Sequence, residues 1–378
     1  MRIALNMRFV IAGKLEGIGW FSWETASRMI RQHPEHEFVL FFDRRPDPQF
    51  TDFPNVEVRI LMPPARRPFL WKLWFDWAVP RALRRSRADY FLSLDGFCSL
   101  RTETPQYMVI HDLGFEHFDG HVPASVEHYY RHYTPLYAHK ALRLAAVSEA
   151  TREDIISTYG VEASKIDVVY NGAGNRFAPL SSEKVQEVRN RLSDGRPYFI
   201  YVGSMHPRKN TIRLLEAYDE YLNRQPEGLD LVIAGRLAWN SGAIADVLQK
   251  MKHADRVRRI GHLGAQELAD SVGAARAVVY PSLFEGFGIP VLEGMQSGVP
   301  VITSNLSSMP EVAGDAALLI DPYNTQDIAD AMQKINADAR VHADLVERGL
   351  QRATHFSWDR SAEKLWESFE TMVRGLYL

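Results

Sequence analysis

Short runs rich in β-branched and aromatic residues alternate along this 378-residue chain with stretches of helical periodicity. RIAL leads into Gly13–Gly19 and the helix-like WFSWETASRMIRQ; EFVLFF, ADYFLSL, QYMVIHD and LRLAAVS continue the series. The second half repeats the rhythm with YFIYVGS, DLVIAG, RRIGHLG, ARAVVYPS, PVITSN and AALLID. Strands that alternate with helices build parallel sheets from βαβ units. These runs are apolar throughout, as sheets covered on both faces require. The fold class expected is α/β, with five or six strands in each half and a cleft between two doubly wound domains. The stretch GAGNRFAPLSSEKVQEVRNRLSDGRP, from residue 172, has few large apolar residues and the Gly, Pro and Ser content of a linker carrying one polar helix. The expected division is 1–175 for the first domain, 176–196 for the linker, 197–355 for the second domain and 356–378 for a terminal helix. In that helix Ala362, Leu365, Trp366, Phe369 and Val373 recur at helical spacing, and Ser357 suits its N-cap. Ligands of such sheets sit beyond the carboxyl ends of the strands.

Composition narrows the function classes. With 46% hydrophobic and 24% charged residues the chain can bury a sizeable core. A net charge of −3 argues against a general nucleic-acid binder. The single cysteine, Cys98, forms no internal disulfide and suits a reducing compartment, so a cytoplasmic protein is expected. The start MRIALNMRFV lacks the apolar core and cleavage site of a signal peptide. No run reaches the ~18–20 apolar residues of a membrane span.

Several nucleotide and metal motifs are missing. The one Gly-Lys pair, Gly13-Lys14, is followed by Leu15, so no G-x-x-x-x-G-K-[ST] loop exists. Gly17-x-Gly19 and Gly286-x-Gly288 both lack the third glycine of a dinucleotide fingerprint. There is no D-x-D pair to hold a divalent cation on a diphosphate.

The stretch SLFEGFGIPVLEGMQSGVP follows the run ARAVVYPS. Glycines between a strand and a helix let backbone N–H groups approach an anion, and the helix N-terminus adds partial positive charge. Pro290 falls near the first helical turn, Glu293 about one turn in, and Glu285 on the loop. Two glutamates eight apart are also compatible with a solvated helix face. In YVGSMHPRKN, Arg208 and Lys209 follow another strand's carboxyl end, where two cations make a diphosphate clamp or a solvated pair. His111 and Asp112 follow the strand-like QYMVI.

The segments GSMHPRKN, VSEATREDI, VVYNGAG and GHLGAQELADSVGAARAVVYPSLFEGFGIPVLEGMQSGVPVITSNLSSMPEVAGDAALLIDP resemble the retaining glycosyltransferases of family 4. The resemblance implies a GT-B fold: two Rossmann-like domains facing each other across a cleft, the N-terminal one on the acceptor side. It implies that Glu285 contacts the donor sugar's hydroxyls and that the amides of Gly286, Phe287, Gly288 and Ile289 hold the diphosphate. It gives Glu293 the ribose hydroxyls, Arg208 and Lys209 the diphosphate charge, and the main chain at His262 and Leu263 the border of the base. His111 is placed near the sugar ring, positioning and polarising it. Gly17 and Gly19 match a loop near donor phosphate and acceptor, with EGIGWF replacing the adjacent glycines of many members. No metal or other cofactor is implied. The donor expected first is GDP-mannose, with UDP-glucose and dTDP-rhamnose as alternatives, and the acceptor is a glycan or lipid-linked glycan of surface polysaccharide assembly.

Other readings stay open at this level. A glycoside hydrolase could use Glu285 and Glu293 across one sugar, and a non-catalytic nucleotide-sugar-binding protein would need the same donor contacts. His117, His121, His128, His132 and His139 crowd one helical region, where His128 and His132 share an i, i+4 spacing without a third ligand motif. Over residues 59–87, Arg59, Arg66, Arg67, Lys72, Arg81, Arg84, Arg85 and Arg87 are set against only Asp76, with Asp89 just beyond, and interleave with Trp71, Trp74 and Trp77. That mixture suits either helix packing interrupted at Pro80 or peripheral contact with an anionic membrane face.

Overall fold

The computed structural model describes residues 1–120, 122–236 and 241–376. They divide into two compact units, Met1–Asn171 with Trp358–Leu378, and Gly172–Ser357. The first is built on a parallel sheet of β1 (Arg2–Asn6), β2 (Glu37–Phe42), β3 (Val56–Ile60), β4 (Tyr90–Ser93), β5 (Gln106–Ile110), β6 (Arg143–Ala146) and β7 (Ile166–Val168), in the order β3-β2-β1-β4-β5-β6-β7. The second contains β8 (Tyr198–Val202), β9 (Asp230–Ala234), β10 (Val257–Gly261), β11 (Ala277–Tyr280), β12 (Val301–Ser304) and β13 (Leu318–Ile320), in the order β10-β9-β8-β11-β12-β13. Every strand pair is parallel. The central strands are buried along their whole length, which is why they read as continuous apolar runs.

In each sheet the strand order reverses once, between β1 and β4 and between β8 and β11. These reversals are the topological switch points at which open α/β sheets place their ligands. The first sheet has seven strands rather than the expected five or six. The extra members are edge strands that periodicity hides: Glu57 and Arg59 interrupt β3, and β7 has three residues.

The segment 176–196 carries the helix Ser182–Ser193, capped by the Ser181 hydroxyl, and its Arg189 side chain bonds the Ala274 carbonyl at 2.9 Å. This helix belongs to the second unit. The terminal helix Trp358–Gly375 returns to the first unit. Its Trp366 stacks on His33 with ring centroids 3.7 Å apart, Phe369 meets Tyr90 edge-on, and the Tyr107 hydroxyl donates to Ser368 at 2.7 Å.

Residues 68–86 form a helix (Pro68–Leu73), one π-turn (Trp74–Ala78) and a second helix (Val79–Ser86). Pro80 follows the π-turn inside one continuous helical run, where its ring and missing N–H interrupt the regular i→i−4 ladder. Trp71 and Trp74 pack inward, their indoles donating to the carbonyls of Ala65 at 2.8 Å and Leu61 at 3.3 Å. Trp77 is 51% exposed.

Candidate active site

In the second unit the loops after β8 and β11 meet at the switch point. Their backbones are laced together: the Leu283 amide and the Ser282 hydroxyl donate to the Arg208 carbonyl at 2.8 and 3.0 Å. Asn210, held at a left-handed φ of 60°, spends its buried amide on the carbonyls of Pro281 at 3.1 Å and Pro322 at 2.6 Å. A recess of about 250 Å³ adjoins this loop, lined by Met205, His206, Pro207 and Thr211 among others; Arg208, Lys209, Glu285 and Glu293 do not line it.

The lacing brings Glu285, Arg208 and Lys209 together. Glu285 is 7% exposed. Its Oε1 accepts from the Ser282 hydroxyl at 2.7 Å, the Tyr280 hydroxyl at 2.9 Å and the Lys209 ammonium at 2.6 Å; its Oε2 faces Arg208 at 3.3 Å. Lys209 also bonds the Tyr280 hydroxyl, and Arg208 donates to the Phe284 carbonyl at 2.8 Å. Burial alone would raise the Glu285 pKa, but Lys209 and Arg208 outweigh it and hold the carboxyl at about 2. Burial and the neighbouring carboxylate push the Tyr280 phenol well above its usual range, so it stays a donor. Two cations around one carboxylate leave the trio with one net positive charge. The Glu285 carbonyl in turn accepts from Ser307 at 2.6 Å and Ser308 at 2.9 Å, on the loop after β12.

Glu285 is thus a partner of the cations rather than an isolated carboxylate. The sequence does not single out Tyr280, Ser282, Ser307 or Ser308. Their signal is the presence of hydroxyls at the carboxyl ends of β11 and β12, beside the glycine loop.

Gly288 caps the helix Ile289–Gln296 with φ of 95°, and a Cβ there would lie 2.5 Å from Met309 Cε. The positive φ favours glycine here, while the Met309 side-chain end could shift aside. Phe287 is 3% exposed and packs edge-on against Phe356. Glu293, partly buried on this helix, has its carboxyl pushed up to about 7 by burial, against the pull of the Arg176 charge. His262 and Leu263 follow β10 at the edge of the sheet, two strands from β8, with His262 exposed.

In the first unit, His111 and Asp112 follow β5. His111 Nε2 donates to the Leu94 carbonyl at 2.8 Å and its ring meets Phe21 edge-on at 5.0 Å. Burial pushes its pKa below the usual histidine range, with the Leu94 bond, Asp112 and Asp95 pulling the other way. The ring is therefore neutral at pH 7, with its proton on Nε2. Gly17 opens the helix Gly17–Gln32 and is exposed. Gly19 is buried, and a Cβ there would meet the Phe9 carbonyl oxygen at 2.7 Å, so close backbone packing requires that glycine.

The remaining histidines disperse. His117 pairs with Asp154 at 2.7 Å, His139 bonds the Tyr159 carbonyl, and the rings of His128 and His132 stack with centroids 6.3 Å apart. His121 lies outside the described residues. Among the described residues no group of three His, Cys, Asp or Glu side chains could hold a metal ion.

Residues 182–352 match the family described as Glycosyl transferases group 1, and residues 16–173 match Glycosyltransferase Family 4. O-antigen chain mannosyltransferase B of Escherichia coli is 30% identical over 230 residues, which are 61% of this chain and 60% of that protein. The serotype-specific mannosyltransferase WbdA of Escherichia coli is 26% identical over 251 residues, 62% of this chain and 29% of the relative. The chain thus spans less than two thirds of these relatives. Among solved structures, Anabaena HepE in complex with UDP-glucose superposes with a TM-score of 0.77 at 17% identity, covering 98% of this chain and 100% of that one. WaaG, a glycosyltransferase involved in lipopolysaccharide biosynthesis, gives 0.76 at 15% identity, covering 96% and 98%. The chain has the GT-B fold and belongs to the group 1 glycosyltransferases of family 4.

Proposed function

We propose that this protein transfers a hexose from a nucleotide diphosphate sugar to a glycan or lipid-linked glycan, with retention of configuration and without a metal. The observation that carries the reading is the Glu285–Arg208–Lys209 cluster beside the glycine-capped helix at the β8/β11 switch point. Breaking the anomeric C–O bond adds negative charge to the departing diphosphate. Arg208, Lys209 and the N-terminus of the helix Ile289–Gln296 favour that charge, and groups that favour it more in the transition state than in the ground state accelerate the step. Glu285 holds the sugar hydroxyls, Glu293 the ribose hydroxyls, and the chain near His262 and Leu263 borders the base. His111 positions the sugar ring, and Gly17 and Gly19 belong to a loop near donor phosphate and acceptor. The departing phosphate oxygen accepts the acceptor's proton as the new bond forms on the face it leaves.

GDP-mannose is the first donor to try, since several relatives are named mannosyltransferases. Three further relatives are named D-inositol 3-phosphate glycosyltransferases, and HepE is solved with UDP-glucose; UDP-glucose and dTDP-rhamnose are the alternatives in the same screen. A native-state ligand raises the melting temperature. The expected result is a shift with one nucleotide sugar, transfer without added metal and after EDTA treatment, and an α-to-α or β-to-β outcome by NMR. No shift with any nucleotide sugar would sink the assignment, and an inverted anomer would remove retention.

Peripheral binding at the inner face of the cytoplasmic membrane is part of this proposal. Among the described residues no helix is long and apolar enough to cross a membrane. Phe69 is 63% exposed, as are Trp77 at 51% and Leu73 at 41%, beside the exposed cations Arg66, Arg67, Lys72 and Arg81. Apolar side chains among cations fit an anionic headgroup layer. Flotation with anionic liposomes is expected to carry the protein at low salt, and Phe69→Ser with Trp77→Ser to release it. Equal flotation of the variant would refute the assigned face.

A further inference from the structure

β3 is an edge of the first sheet, paired with β2 on its inner side. The Asn55 carbonyl accepts from the Phe38 amide at 2.9 Å, and the Leu61 amide donates to the Phe42 carbonyl at 2.8 Å. The odd-numbered residues of this stretch thus spend their backbone groups on β2, and Val56, Val58 and Ile60 aim theirs away from the sheet. The Val56 amide turns to the Phe53 carbonyl at 3.4 Å. Beyond Met62 the chain leaves inward rather than along the edge, since the Ala65 amide donates to Asp43, just after β2, at 3.1 Å. Val58, Ile60 and Met62 are 37%, 48% and 65% exposed.

Charged residues on an edge strand normally guard it against a second strand. Here their spacing does the reverse. If two copies pair antiparallel about a two-fold axis through Val58, Val58 faces Val58, Glu57 faces Arg59 and Val56 faces Ile60. The outward-aimed residues then occupy the hydrogen-bonded positions. The two Val58 residues exchange amide and carbonyl, and each Ile60 amide reaches the Val56 carbonyl of the other copy; none of these bonds competes with β2 or Phe53. Glu57 and Arg59, already 2.6 Å apart within the chain, fall on the non-hydrogen-bonded positions, where side chains approach closest. Their charges alternate around the axis. Moving the axis by one residue sets Glu57 against Glu57 or Arg59 against Arg59. The edge strand β10 of the second sheet offers no such match: it reads VRRIG and holds no acid to face its arginines.

We propose that β3 is the surface at which two copies of this chain associate, antiparallel about Val58, so that two seven-stranded sheets join into one. The inference is independent of the transferase reading. Pairing one five-residue strand buries less than the roughly 1,200 Å² of a stable interface, so the dimer is a transient one, populated at on the order of 10–100 μM chain.

Sedimentation of the full chain from about 1 to about 200 μM tests the association, and disulfide trapping tests the register. The wild type should move from monomer toward dimer as concentration rises. Val58→Pro removes an amide that the chain's own ladder does not use, so it should fold as the wild type does and stay monomeric throughout. The one native cysteine, Cys98, is buried, so an introduced thiol reports without background. Val58→Cys sits on the axis and should cross-link to itself under mild oxidation. Two copies of Ile60→Cys would lie ~13 Å apart along the strands, beyond disulfide reach, so this variant should cross-link only when mixed with Val56→Cys. The cysteine variants decide the matter if Val58→Pro does not fold. A wild type that is monomeric at every concentration overturns the proposal, whether the edge then stays bare or takes another protein's strand. Equal cross-linking of Val58→Cys and Ile60→Cys overturns it too, as does a dimer that survives Val58→Pro.

Discussion

Replacing Glu293 by glutamine should stabilise the protein, and only on the alkaline side. The Glu293 carboxyl is pushed up to about 7 from an ordinary 4.5, chiefly by burial, with Arg176 opposing. Below pH 4.5 folded and unfolded chains both carry the proton, and the residue has no pH-dependent cost. As pH rises from 4.5 through 7 the unfolded chain releases the proton first, so stability falls; above 7 the full cost is present. At about 1.4 kcal/mol per pH unit of displacement the cost reaches roughly 3 kcal/mol. Glu293→Gln keeps the shape and removes the charge. Its melting temperature should equal that of the wild type near pH 4.5 and exceed it by roughly 6–12 °C at about pH 8, taking 2–4 °C per kcal/mol for a unit of this size. Melts across that range make the measurement. Ribose hydroxyls donating to this carboxylate would favour its ionised form, so nucleotide affinity should rise with pH through 7 in the wild type and stay flat in the variant. A stability difference that does not grow with pH would refute the burial argument, and a flat wild-type affinity would refute the ribose contact.

Three further outcomes follow from the same loops. Glu285 is held at about 2, burial being outweighed by Lys209 and Arg208, so its stabilising share is complete above pH 4.5 and is lost as pH falls from 4.5 through 2. Glu285→Gln should melt lower than the wild type at pH 7, converge with it in acid, and turn over at least ~100-fold more slowly; parallel melting curves would contradict the ion cluster. Gly288→Ala forces a side chain to φ of 95°, so a loss of about 1–3 kcal/mol is expected in chemical denaturation, and a silent substitution would show that the cap is not needed. Asn210→Ala and Asn210→Gly both lose the bonds to the carbonyls of Pro281 and Pro322, but glycine tolerates the left-handed backbone; both should destabilise, alanine by about 1 kcal/mol more, and equal effects would refute the strain component.

The sheets were legible in the sequence because β1, β4, β5, β8 and β11 are covered on both faces and so spell continuous apolar words. Edge strands lack that signature: β3 mixes Glu57 and Arg59 with apolar residues, and three-residue β7 is shorter than any periodicity can register. The amphipathic face of the helix Trp358–Gly375 was equally plain, but a hydrophobic stripe does not say which surface it covers. Its attachment to the first unit depends on His33, Tyr90 and Tyr107, far away in the chain. At the site, residue types and loop positions were readable for Glu285, Arg208 and Lys209, whereas their mutual pairing was not. That pairing changes the chemical argument. Two lysine- or arginine-type cations on a loop would reposition freely in water, and each would spend side-chain entropy on meeting a phosphate. Here Glu285, Tyr280 and Ser282 have already fixed them, so that entropy is spent in folding rather than in catalysis. Such preorganisation is what electrostatic stabilisation of a leaving group requires. The carboxylate anchors the cations, and under the proposed donor contacts it would also offer oxygens to a sugar. Glu293 shows the complementary case: a carboxyl that folding disfavours, retained on a helix where a nucleotide's hydroxyls would favour its charged form.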